Sequence, residues 1–129
     1  MRFRAPATSA NLGPGFDCAG VALDLWNDLE IVERRGAAAG APQVTVEGEG
    51  ADELRSVGAD HLGLKAFALM APVDGWSFRF VNRIPLARGL GSSAATIAVG
   101  LAAGMHVARR HLTDEQLLVH ALTLESHAD

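Results

Sequence analysis

Residues 85–95 of this 129-residue chain read PLARGLGSSAA, and no other stretch spaces residue types so well for binding an anion. Gly89 and Gly91 allow a sharp turn and let a ligand reach backbone amides with no side chain between. Ser92 and Ser93 are good helix N-cap residues. Ala94 and Ala95 let a helix begin tightly against a neighbour. Free amides at a helix N-terminus, reinforced by the helix dipole, attract phosphate. A serine hydroxyl placed there can also ligand the magnesium that accompanies a nucleotide. Pro85, Leu86, Ala87, Arg88, Gly89, Leu90, Gly91, Ser92, Ser93, Ala94 and Ala95 are therefore the candidate phosphate-binding segment.

Three readings of the segment compete. A glycine turn capped by serine is ubiquitous and needs no ligand. GLGSSA also matches the dinucleotide pattern G-x-G-x-x-A, but that pattern needs a strand running straight into the glycines and an acidic residue about 20 positions later, closing a second strand. A proline-containing stretch, residues 84–88, precedes the glycines here, and residues 111–114 fall between two expected helices. The third reading is a phosphate loop without the Walker lysine, in which backbone amides and serines do the binding. Asn11 and Asp17, beside glycines in residues 7–17, commonly only stabilise turns; they could also converge across a loop to bind a polar ligand.

The elements that must position these residues show in the periodicity. Residues 2–5 suit a short strand ending at Pro6, and residues 7–17 have loop chemistry. Residues 21–33 alternate, as one or two strands would. A Gly/Ala turn at residues 36–41 leads through Pro42 to a further strand over residues 43–47. Residues 61–71 change to helical spacing and stop at Pro72. Residues 76–81 alternate again, with Trp76, Phe78 and Phe80 on one face. A small-residue helix is expected over residues 92–110, and Thr113 with Gln116 forms a capping box for a last helix. The predicted class is α+β, with strands packed against helices, rather than a regular βαβ array.

Composition narrows the functional classes. A net charge of −4 offers no global field for nucleic acid. Only 5% of residues are aromatic and tyrosine is absent, which disfavours base-stacking platforms. The one cysteine, Cys18, excludes an internal disulfide and reads as a packed residue. The N-terminus lacks an apolar secretory core, and residues 94–108 are too short and too interrupted for a membrane span. A cytoplasmic enzyme is the expectation. His106, His111 and His120 lack metal-ligand spacing with carboxylates and read as helix-face residues.

PLARGLGSSAA resembles the second motif of the GHMP kinase superfamily, P-x-x-x-G-L-G-S-S-A-A. The N-terminal stretch APATSANLGPGFDCAG is similar to the opening motif of homoserine kinases, and the resemblance spans residues 5–129. It implies the GHMP kinase N-terminal fold, which is like the second domain of ribosomal protein S5. It further implies that Asn11 and Asp17 contact L-homoserine as substrate, with Asp17 pairing with its ammonium or holding its hydroxyl. Residues 125–129, ESHAD, resemble the family's E-G-H-P-D segment, so Glu125 matches the carboxylate that binds Mg2+ with Ser93. Ser126 and Ala128 depart from that pattern, and His61 stands where the resemblance places an asparagine at the adenine pocket.

The implied reaction is ATP-dependent phosphorylation of L-homoserine, with no general base assigned. Enzymes of this kind run to about twice this length, so residues 1–129 are expected to form the ATP-binding domain without its C-terminal partner, inactive or weakly active alone. The resemblance allows a homodimer and implies neither nucleic-acid nor membrane partners. Two alternatives stay open: another GHMP small-molecule kinase, or a non-catalytic nucleotide-binding or structural fragment.

Overall fold

A computed structural model describes residues 1–9, 20–34, 40–51, 61–85 and 90–125. Four strands, β1 (Arg2–Ser9), β2 (Val21–Glu33), β3 (Gln43–Gly48) and β4 (Trp76–Asn82), form one sheet in the order β1-β2-β4-β3. The β1–β2 and β2–β4 pairs are antiparallel, whereas β3 and β4 run parallel. A parallel pair needs a crossover, and helix α1 (Leu62–Ala68) lies in that connection. Helices α2 (Ser92–Ala108) and α3 (Asp114–Leu124) follow β4. The α+β class holds, with one βαβ unit inside an otherwise antiparallel sheet.

Alternation decides which face of the sheet the helices cover. Ala5 and Ala7 of β1, Leu29 and Ile31 of β2, Val46 of β3, and Phe78 and Phe80 of β4 are buried together with Phe67, Ala95 and Val99 of the helices. The opposite face is polar. There Asp28, only 4% exposed, is flanked by the guanidinium groups of Arg4 (3.1 Å), Arg83 (3.2 Å) and Arg2 (3.9 Å). Arg79 bridges Glu30 and Glu47 across three strands of the same face.

Two glycines of α2 bring it onto α1. A Cβ at Gly100 would stand 2.4 Å from the carbonyl oxygen of Gly63, and one at Gly104 would stand 2.8 Å from the Cβ of Met70. Only a bare backbone fits at this separation. The Thr113–Gln116 capping box is present in both directions, at 3.2 Å and 3.0 Å.

β1 does not stop at Pro6 but continues to Ser9, with its register to β2 shifting between Pro6 and Ala7. β1 is an edge strand, where the missing proline N–H takes no ladder bond away from a neighbour. Residues 21–33 form one strand, not two. His111 lies in the connection between α2 and α3, not on a helix. Cys18 lies outside the described residues.

Candidate functional site

β4 ends at Asn82 and α2 starts at Ser92, so no strand runs directly into the glycines, against the dinucleotide pattern. Within the candidate phosphate segment, Pro85 and Leu90 through Ala95 are described, while Leu86, Ala87, Arg88 and Gly89 lie outside the described residues. So do the substrate candidates Asn11 and Asp17.

Neither serine caps α2, contrary to the sequence expectation. Gly91 is the N-cap, in the left-handed conformation at φ 72° and ψ 32°, and among the described residues no side chain caps the first turn. The first amide with an intrahelical acceptor belongs to Ala95, bonded to Gly91 O at 2.9 Å. The amides of Ser92, Ser93 and Ala94 precede it, and the first turn carries no acidic residue. The reason lies in β1: a Cβ at residue 91 would come 2.4 Å from Thr8 Oγ1, and Thr8 N donates to Leu90 O at 2.9 Å. Glycine thus satisfies both the tight contact and the positive φ. The serines move inside the helix, Ser92 buried and Ser93 exposed.

A helix end of this kind, with no side-chain cap among the described residues and no carboxylate in its first turn, fits a phosphate group. The exposed Ser93 stands at its mouth. Glu125 is the C-cap of α3, with its N–H bonded to Ala121 O at 3.2 Å. It lines a groove of about 330 Å³ between α2 and α3, together with Ala94 of the first turn of α2, Ile97, Leu101 and Leu117. Ser93 itself does not line that groove, whereas its neighbour Ala94 does; a hydroxyl and a carboxylate are an oxygen-only donor set of the kind that suits Mg2+.

One buried polar residue, Asn27, escaped the motif reading, and a second, His61, was noted there only as a departure from the family pattern. Asn27 of β2 faces the core at 1% exposure, and its Oδ1 accepts from Arg83 N (2.8 Å) and Ile84 N (2.9 Å). The available signal was an asparagine at a core position between Leu25 and Leu29 in an alternating strand. His61, at 2% exposure, is the N-cap of α1: Nδ1 accepts from Gly63 N at 3.0 Å. Its ring lies against Phe80, with centroids 4.2 Å apart at 31°. With Nδ1 accepting, the proton sits on Nε2, which meets no partner among the described residues.

Burial pushes the His61 pKa below its ordinary value of about 6.5. The unfolded chain therefore binds more protons at this position than the folded one, and stability rises with pH. The contribution is complete above pH 6.5 and is lost as pH falls through the depressed folded value. Urea midpoints measured from pH 7.5 to 5 are expected to fall more steeply for the native chain than for His61→Asn, which keeps a capping acceptor but does not titrate. Equal slopes would remove His61 from the acid response.

The mixed sheet, the α1 crossover and a helix N-terminus after β4 make up an α+β domain with a candidate anion site. The family model described as the N-terminal domain of GHMP kinases matches residues 57–129. This chain belongs to that family. It is 42% identical to a homoserine kinase of Nitratiruptor sp. and 41% identical to one of Cutibacterium acnes, with all of the chain aligned. The chain spans 44% and 45% of those proteins' lengths. A solved homoserine kinase structure from Cytophaga hutchinsonii superposes with a TM-score of 0.62 at 26% identity, covering 97% of this chain and 40% of that one. Methanococcus jannaschii mevalonate kinase shares the fold, with a TM-score of 0.72 at 19% identity, over 97% of this chain and 45% of its own.

Proposed function

We propose that this chain is the nucleotide-binding part of a homoserine kinase, which transfers the γ-phosphoryl group of ATP to the hydroxyl of L-homoserine and releases ADP and O-phospho-L-homoserine. This is a threonine-pathway step in the cytoplasm. The observation that carries the reading is the uncapped N-terminus of α2 behind left-handed Gly91, in a chain 42% identical to a homoserine kinase. Phosphoryl transfer needs positioning and charge stabilisation more than covalent help from the protein. The amides of Ser92, Ser93 and Ala94, with the preceding residues 85–91, hold the phosphate oxygens. Ser93 and Glu125 are the residues for Mg2+, which when bound neutralises charge between the β- and γ-phosphates. Asn11 and Asp17 hold the amino acid so that its hydroxyl lies in line. No side chain is assigned as general base.

Residues 1–129 alone are expected to bind Mg·ATP and to make little or no phosphohomoserine, because the relatives' remaining length is not in this chain. Calorimetry on the folded chain tests the first half, and coupled ADP detection with homoserine the second. Absence of binding at millimolar Mg·ATP would leave only a structural role, while ready turnover would refute the incomplete site. Ser93→Ala should weaken the magnesium-dependent component about tenfold, as loss of one charge-assisted contact does. Unchanged affinity would take Ser93 out of the metal site. L-homoserine should bind the nucleotide-loaded chain better than L-serine or mevalonate; a preference for mevalonate would move the assignment to another member of the family.

A further inference from the structure

We infer that Asn27 is a positioning residue for the phosphate segment, clamping its entry from β2 while β1 clamps its exit. The β2–β4 ladder ends at the Asp28–Val81 pair and the β3–β4 ladder at Gly48–Asn82, so neither ladder reaches Arg83 and Ile84. The amides of Arg83 and Ile84 would then lack partners, and Ile84 is fully buried. Asn27 Oδ1 takes both, using the two lone pairs of one carbonyl. The neighbouring residues of β2 hold Arg83 from the other side of the strand: Arg83 Nη1 donates to Trp26 O at 3.3 Å and pairs with Asp28 at 3.2 Å. Downstream, Thr8 N of β1 holds Leu90 O, and Thr8 Oγ1 abuts Gly91. Asn27 pairs with Ala5 of that same β1 strand. One antiparallel pair thus fixes both the departure from β4 and the arrival at α2.

An asparagine in a core face is unfavourable unless its polar atoms are used. Its Nδ2 finds no acceptor among the described residues, so what keeps the residue in place is the carbonyl. Leucine would fill the volume with no acceptor, whereas aspartate would keep the acceptor. The consequence is that the two described ends of the segment, Arg83–Ile84 and Leu90–Gly91, depend on residues far from them in sequence.

The experiment compares the native chain with Asn27→Leu, Asn27→Asp and the control Ile31→Val, a core-face truncation on the same strand. Native-state amide exchange by NMR and Mg·ATP titration are read on each. Asn27→Leu should accelerate exchange at Arg83 and Ile84 at least about tenfold beyond any global change, consistent with a lost buried hydrogen bond. It should also weaken Mg·ATP about tenfold, with Asn27→Asp recovering most of both and Ile31→Val moving neither selectively. Unchanged exchange at Arg83 and Ile84 in folded Asn27→Leu overturns the clamp, as does an equal loss of affinity in Ile31→Val. If Asn27→Leu does not fold, Asn27→Ser, too short to reach both amides, gives the same readings. The nucleotide arm rests on the kinase reading above, but the exchange arm does not. A native chain that binds no nucleotide would count against that reading and leave exchange to decide the clamp.

Discussion

Truncating Phe67 to alanine should remove about 3–5 kcal/mol of folding stability, the range for an aromatic side chain lost from a closed core. Phe67 is wholly buried on α1, packs edge-on against Phe78 at 5.0 Å and 85°, and sits 6.3 Å from Trp76. Few atoms nearby can move into the space, because Gly100 and Gly104 already bring α2 to van der Waals contact with α1. The loss is a large share of a domain's usual 5–15 kcal/mol. Urea unfolding followed by tryptophan fluorescence measures it. A loss under about 1 kcal/mol would mean that the α1–β4 interface collapses around the cavity, which the packing here does not permit.

Gly100→Val should destabilise by about 3 kcal/mol or more, and it tests which of two opposed effects governs α2. Helix propensity favours any ordinary residue over glycine by up to about 1 kcal/mol, and valine keeps only part of that gain. Against it, the new Cβ would overlap a backbone oxygen, Gly63 O at 2.4 Å, and the Cβ of Ala66 at 2.8 Å. Overpacking costs typically about 1–3 kcal/mol, and more where the obstacle is main chain that cannot rotate aside. The clash wins. Because the N-terminus of α2 is the proposed phosphate site, forcing α2 off α1 should also weaken Mg·ATP binding beyond what thermal melting predicts. A valine variant as stable as the native chain would show that α1 and α2 separate freely.

Features whose partners lie close in sequence were legible in it. The capping box at Thr113 needs only Gln116, three residues on, and it formed as written. The alternation in residues 76–81 named the core face of β4, since the period of a strand is a local property. The glycine-serine segment announced a helix start able to take an anion, and a helix does start at Ser92. Family resemblance in residues 5–17 and 85–95 pointed to the domain that the GHMP model matches.

What only the tertiary structure decided depended on partners distant in the chain. Whether Ser92 or Gly91 caps α2 turns on Thr8, more than 80 residues upstream, whose packing demands glycine and leaves the serines inside the helix. Pro6 reads as a strand end until β1 is seen at a sheet edge, where a missing N–H is harmless. Asn27 looks unremarkable because the amides it serves lie 56 and 57 residues away. His61 reads in the sequence only as a departure from the family's asparagine, and the fold shows it capping α1 through Nδ1 with its ring against Phe80. By itself, then, the sequence determined the element types and the helix start after Gly91, because propensity and periodicity act over a few residues. Folding decided which polar atoms are used up and which amides stay open, because that depends on which strand lies alongside.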